Sequence, residues 1–382
     1  MASFGMVLPE LPAYLRGLGR PDLIGWIVGL FTIGAFISRF FSGRIADAAG
    51  RRPVMLFGTW IAAIAGFAYM VVGWIAPEHA EEAQGLPFAV LAFLGVRLFH
   101  GLSTGFRPTG TTAYLTDITP LSRRGEALGY LGVAGNAGMA AGPALGSWLT
   151  VEFGYNAMFM ASSGLGIAAL LMTLKLPESL PGARKTRPSD LNVFKGPSLD
   201  WSAWPSAFAL LPIAFAFGTF LTLTPDFVES LGYVYKGSFN TIVVAASIAM
   251  RFVAGKASDR HGRLPLMIIG TALLAVGMWV FSMATTSLVA TAGALIYGAS
   301  VGINMPTIFA WTADLAREGK VALALGTMLM SLELGIGLGA VLSGKWYGGD
   351  LGQISSAYAF CSLFAVATML GLIIGHRQAS RA

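Results

Sequence analysis

The chain has 382 residues, 55% of them hydrophobic and only 12% charged, with a mean hydropathy of +0.68. That composition leaves too little polar surface to coat a water-facing globule, which excludes an ordinary soluble domain. The net charge of +6 sits in short loops between apolar runs, where membrane topology explains it, so nucleic acid is excluded as a partner.

Apolar runs of about twenty residues recur throughout, each long enough to cross about 30 Å of hydrocarbon as a helix. The 49 glycines suit close helix packing in a lipid bilayer. Candidate spans cover 1–15, 24–45, 53–76, 86–116, 126–151 and 155–176, then 201–228, 238–257, 264–285, 288–315, 321–346 and 354–374. The first is anomalous: fifteen residues make about 22 Å of helix, short of the hydrocarbon thickness, so an upstream portion is expected to complete it. A cleavable signal peptide fits less well, because no basic region precedes the apolar run.

Between the two sets of six lies "PESLPGARKTRPSDLNVFKGPSLD", rich in Pro, Ser and charge, which reads as a polar linker. The expected organisation is a six-helix bundle over 1–176, a cytoplasmic linker over 177–200 and a second bundle over 201–382. Arg44, Arg51, Arg52, Arg123, Arg124, Lys256, Arg260, Arg263, Arg317, Lys320, Arg377 and Arg381 fall on the linker side, whereas "PEHAEEAQG" on the other side is acidic. Both termini are therefore expected in the cytoplasm.

The two halves repeat. With a shift of 212, "SGRIADAAGRRPV" at Ser42 overlays "AGKASDRHGRLPL" at Ala254, matching Arg39 with Arg251, Gly43 with Gly255, Asp47 with Asp259, Gly50 with Gly262 and Arg51 with Arg263. "LPEL", with Glu10, echoes "TPDF", with Asp226, and "AYLTD", ending at Asp117, echoes "AWTAD", ending at Asp314. Internal repeats of this kind characterise secondary transporters.

At these residues the chain resembles the major facilitator superfamily. Gly43, Asp47, Gly50, Arg51 and Arg52 match that family's G-x-L-x-D-x-x-G-R-[RK] loop signature. "RLFHG" is similar to the R-x-x-Q-G signature of proton-coupled members, with Arg97 and Gly101 in place and His100 where Gln is usual. "GMAAGPALG" is similar to an exporter signature carried by Gly138, Gly142, Pro143 and Gly146. The resemblance implies an all-α membrane protein of twelve transmembrane helices in two pseudo-symmetric six-helix bundles, exporting a small molecule by proton antiport across a prokaryotic cytoplasmic membrane, as a monomer and with no cofactor beyond the proton gradient. Proton-linked uptake of a sugar or other metabolite is the alternative.

Within that frame Asp47, Arg51 and Asp117 are expected to form a latch that breaks when the inner side opens, with Asp47 facing the positive end of another helix. Asp259, Arg263 and Asp314 are the weaker counterpart; the plain alternative is a basic loop that only sets topology. Arg97, inside the bilayer, needs an interior partner, and Glu10 and Glu333 are the acidic candidates. Glu333, mid-helix in "LMSLELGIG", is the first choice for proton carrier, with Glu10, Asp226 and His100 behind it. Arg107, beside Pro108, either binds an anionic substrate or satisfies carbonyls freed by the proline. The glycine and proline run of the exporter signature reads as close packing that seals one face.

"GIGLG" at Gly335 to Gly339 has no preceding strand and is not a dinucleotide loop. Cys361 is the lone cysteine, which excludes an internal disulfide, and no metal-ligand spacing occurs. Without a catalytic cluster or soluble output domain, a membrane enzyme or sensor on this scaffold is the remote reading.

Overall fold

The structure, a computed structural model, describes residues 1–76, 88–120, 123–182, 199–318 and 320–379. The acidic loop at 77–85, Lys185 and Arg381 lie outside the described residues.

The described residues form twelve α-helices: α1 Ala2–Val7, α2 Leu11–Gly17, α3 Ile24–Ala49, α4 Arg51–Ile75, α5 Phe88–Ile118, α6 Arg124–Leu174, α7 Trp204–Ser230, α8 Lys236–His261, α9 Arg263–Met283, α10 Ser287–Leu315, α11 Val321–Tyr347 and α12 Gly352–Ala379. The expected first span is broken: α1 and α2 are joined by a 3-10 turn at Leu8–Glu10, where Pro9 and then Pro12 withhold backbone N–H groups. The expected fifth and sixth spans meet inside α6, where Gly154 leaves helical geometry with φ 82° and ψ 172°. Among the described residues ten helices are long and apolar enough to cross a membrane, and the chain is a multi-pass membrane protein.

Two compact units result. The first comprises Met1–Arg20 and Leu30–Ser198, the second Pro21–Gly29 and Leu199–Ala382. Within each, the repeat seen in the sequence becomes repeated packing. In the first unit Gly101 of α5 lets its backbone approach the Phe31 carbonyl of α3; in the second, Gly298 of α10 does the same to the Val243 carbonyl of α8. A β-carbon at either position would overlap that oxygen, so only glycine allows the approach. Thr59 donates to the Met55 carbonyl at 2.7 Å, and Thr271 to Met267 at 2.7 Å, again 212 residues apart. Each satisfies its hydroxyl within its own helix where no water is at hand.

A second pair of contacts explains the glycine runs. Gly142 and Gly146 of α6 lie against the Ala2 and Met6 carbonyls of α1, and Gly138 against Met1 and Ala2. Gly335 and Gly339 of α11 lie against the Leu211 and Phe215 carbonyls of α7. "GIGLG" is thus the second-unit counterpart of the exporter-like run, a role the sequence reading did not assign.

Candidate functional site

The turn from α3 into α4 is a single residue, Gly50, whose φ of 110° and ψ of 162° are open to glycine alone. This tight turn sets the charged phrase. Arg51, at the first position of α4, donates from Nη1 to Asp47 Oδ1 and from Nε to Asp117 Oδ2 at 3.0 Å, so helices α3, α4 and α5 are tied at one guanidinium. Asp117 is 28% exposed and Asp47 is 77% exposed, so the Asp117 arm is the better shielded of the two.

The sequence places Asp47 at another helix's N-terminus; within the first unit its contact is with Arg51. The carboxylate at a helix N-terminus here is Glu178, just past α6. It accepts from Arg51 N at 2.9 Å and Arg52 N at 3.1 Å, and closes its own turn by accepting from Ser179 N at 2.9 Å and Leu180 N at 3.0 Å. The Arg51 and Arg52 donors can reach this carboxylate because Gly50 has no side chain, and a β-carbon there would overlap Glu178. Burial would raise the Glu178 carboxyl, but the N–H groups of Leu180, Arg51, Arg52 and Ser179 outweigh it and hold the group below its ordinary range. Ser179 Oγ donates to Asp117 Oδ2 at 2.9 Å, the oxygen that also takes Arg51 Nε. Arg52 donates from Nη2 to the Leu174 carbonyl at 2.8 Å, at the last turn of α6. Gly43 faces open space.

The second unit repeats the triad, with no such cap among the described residues. Arg263 Nη1 donates to Asp259, with Ser258 Oγ at 2.9 Å, and Arg263 Nε donates to Asp314 at 2.8 Å. Gly262, with φ 90°, again makes the turn.

Deeper in the first unit, Arg97 and His100 share Tyr69. Arg97 Nη1 donates to the Tyr69 hydroxyl oxygen at 3.1 Å, and that hydroxyl lies 3.3 Å from His100 Nδ1. Since the tyrosine oxygen accepts from the guanidinium, its own hydrogen can turn toward Nδ1. The Arg97 guanidinium carbon stands 4.8 Å over the Phe31 ring, and His100 meets Phe4 and Phe31 edge-on. Such a desolvated cation–π contact is worth about 2 kcal/mol. All three polar side chains are buried, and His100 Nε2 has no hydrogen-bond partner among the described residues. Glu10, in the 3-10 turn, is buried and accepts from Ser147 of α6.

Its echo in the second unit is equally dry. Asp226 of α7 is buried and accepts from the Tyr347 hydroxyl of α11 at 2.9 Å. In both units, therefore, an acid one residue after a proline receives a hydroxyl from the glycine-bearing helix packed beside it. Glu333, 5% exposed, lies midway along α11. Arg107 Nη2 reaches Met1 Sδ at 3.7 Å. Among the described residues, no three His, Cys, Asp or Glu side chains are grouped to hold a metal ion.

Sequence reasoning missed Glu178, Ser179, Tyr69, Ser147 and Tyr347. "PES" directly after an apolar run was a signal for the first two. The hydroxyls had none, since serine and tyrosine in a span carry no mark of which face they occupy.

Comparison with known proteins agrees with this architecture. The sequence profile of the Major Facilitator Superfamily matches residues 1–249 and 234–381. The chain is 25% identical to the uncharacterized MFS-type transporter MJ1560 of Methanocaldococcus jannaschii, over 98% of this chain and 94% of that protein. It is 26% identical over 222 residues to the quinolone resistance protein NorA of Staphylococcus aureus, covering 56% of this chain and 52% of NorA. The crystal structure of a D-xylose-proton symporter superposes with a TM-score of 0.72 at 16% identity, over 97% of this chain and 95% of the other, a likeness of fold. The repeated units, the repeated charged turn and the profile match along the chain identify a membrane transporter for small molecules: this protein belongs to the Major Facilitator Superfamily.

Proposed function

We propose that this transporter exports a small molecule from a prokaryotic cell in exchange for protons, by alternating access, with both termini in the cytoplasm. The observation that carries the reading is the set of ionisable side chains held dry inside the spans: Glu10, Arg97 and His100 in the first unit, Asp226 and Glu333 in the second. Charged groups at bilayer depth cost at least about 2.5 kcal/mol each by insertion scales, and they persist where they move ions or protons. Glu333 is the first candidate for the exchanging proton, because it is buried near the middle of a long span.

The direction is argued from packing. The glycines at 138, 142 and 146 bring α6 against the α1 carbonyls, the close contact expected of the exporter-like signature, and the partial likeness to a quinolone resistance protein points the same way. The Arg51 and Arg263 triads act as latches that break as the transporter changes its open side, and the Lys and Arg residues around them set them at the cytoplasmic surface. Arg107 is the candidate for an anionic group on the substrate.

The test is a proteoliposome carrying a trapped pH dye and an imposed proton gradient, challenged with a quinolone and then with a panel of drug-like compounds. Substrate-dependent collapse of the gradient, with substrate moving against proton flow, is the expected result. Movement of substrate with the protons replaces export by uptake, and transport indifferent to the gradient removes proton coupling.

A further inference from the structure

Arg251 lies on α8 ten residues before His261, about 15 Å inside the end that bears the Arg263 triad and within the stretch of α8 apolar enough to span a membrane. Its Nε is buried without a hydrogen-bond partner among the described residues, and none of their charged side chains stands close enough to act on the guanidinium. Arg97, by contrast, has the Tyr69 hydroxyl and the Phe31 ring, and Arg263 has two carboxylates. A guanidinium inside a span without a counter-charge is costly, and ionisable groups at that depth mark the paths and sites of ligands. The surroundings of Arg251 are one-sided. Helix α10 seals one flank, where Gly302 rests on the Ser247 carbonyl one turn before Arg251 and Ala254 is buried with Leu266 and Ile303. The other flank is open: a β-carbon added at Gly255, one turn after Arg251 on the same face, would meet nothing within 4 Å, and Phe252 is exposed beside it. Side chains on a helix cover the turn N-terminal to their own Cα, so a larger residue at 255 would lie over Arg251, and glycine leaves it uncovered.

We propose that Arg251 and the space left by Gly255 form a binding site for an oxyanion that carries an apolar body. The planar fork of the guanidinium takes two oxygens of a carboxylate, sulfonate or phosphate, and the exposed Phe252 ring gives the apolar part its surface. A solute with such a group and an anionic phospholipid share this chemistry. The inference rests on the membrane fold and not on proton coupling or export.

The experiment uses the full chain, purified in a neutral detergent without a proton gradient, so the outcome is independent of the coupling measurement. It is titrated with naphthalenesulfonate and with phosphatidylglycerol, and bound molecules are counted by native mass spectrometry. Naphthyl methyl sulfone and diacylglycerol, which keep the apolar bodies and lack the charge, are the controls. At least one of the two anions is expected to bind about ten-fold or more tighter than its neutral counterpart, the scale of one charge-assisted hydrogen bond. Arg251→Gln should erase that preference. Gly255→Leu, which keeps the guanidinium and covers it, should erase it as well, and Arg260→Gln, at an exposed arginine of the same helix, should leave it intact. Preference for the sulfonate alone names a solute, preference for phosphatidylglycerol alone names a lipid, and mutual displacement shows one site for both. Should Arg251→Gln fail to fold, Gly255→Leu carries the test, since a β-carbon there has open space. Three results overturn the proposal: no preference for either anion, a preference that survives Arg251→Gln or Gly255→Leu, or an equal loss in Arg260→Gln.

Discussion

Gly50 and Glu178 occupy one another's space: the carboxylate stands where a side chain at residue 50 would begin, 128 residues away along the chain. Two restraints therefore act on Gly50, its φ of 110° and the carboxylate, whereas Gly262 has only its φ of 90°. Gly262→Ala is expected to lose about 1–3 kcal/mol from backbone strain alone. Gly50→Ala should lose more, because the cap must also be expelled from α4. Thermal unfolding of both variants in the same detergent checks the order. Equal losses would show that the Glu178 contact adds nothing to stability.

The same cap has a pH signature. The folded-state Glu178 carboxyl lies below its ordinary range, so its contribution is complete above the unfolded-state value and is lost as pH falls through the folded one. The difference in melting temperature between the native protein and Glu178→Gln should thus be flat from about pH 6 to 8 and should shrink only below about pH 4.5, the unfolded glutamate region. A difference that changed near neutral pH would assign the effect to another group.

Within the first triad the two acids should not be equivalent. Asp117 accepts from Arg51 and Ser179 and is 28% exposed, while Asp47 is 77% exposed. Exposed pairs are worth roughly 0–1 kcal/mol, so Asp47→Asn should fall within that range and Asp117→Asn beyond it. The rate at which a maleimide labels a cysteine at Gly129, in the Cys361→Ala chain, reports both variants. A larger effect at Asp47 would mean that its oxygen contacts matter more than its exposure suggests.

Two buried tyrosines offer a cleaner contrast. The Tyr69 hydroxyl serves Arg97 and His100, and Tyr69→Phe removes one buried hydrogen bond from each, a loss on the order of 1–3 kcal/mol. The Tyr297 hydroxyl has no partner among the described residues, so Tyr297→Phe should be neutral or stabilise by up to about 1 kcal/mol. Melting temperatures of the two variants separate the cases. A large loss at Tyr297 would show that its hydroxyl is bonded after all.

What could be read from the sequence follows the range of the interaction. Asp47 and Arg51 are four residues apart with the Gly50 turn between them, and their spacing marked a shared charged turn but not the direct contact. The Arg51 contact to Asp117 came through resemblance to a family, and the Glu178 cap, from a segment that reads as linker, came through neither. The duplicated glycines were legible as small residues but not as partners of particular carbonyls, because rotation of a helix about its axis is set by packing that a single sequence does not display. Pro9 and Pro12 were visible too, yet the 3-10 turn at Leu8–Glu10 between them was not. That turn is what presents Glu10 to Ser147.

Glu333 is the residue on which the proposed proton coupling is tested. An acid midway along α11, on a helix held against α7 through Gly335 and Gly339, is costly when charged in dry surroundings. Substrate that binds where this acid ionises favours proton release, by competition or by bringing positive charge, and the two flows are then opposed. Glu333→Gln keeps the shape of the protonated acid and removes the exchangeable proton. The variant should bind substrate and exchange it across the membrane at near-native rates, yet lose accumulation driven by a pH gradient by at least about ten-fold, the size of one 1.4 kcal/mol step. Arg97→Ala should impair the same driven step if its charge tunes the acid. Both are measured in one set of proteoliposomes, gradient-driven uptake beside equilibrium exchange. If Glu333→Gln still pumps uphill with the native proton ratio, the carrier is another buried acid, and Glu10 and Asp226, each holding a hydroxyl from the neighbouring glycine-bearing helix, are the two to exchange next.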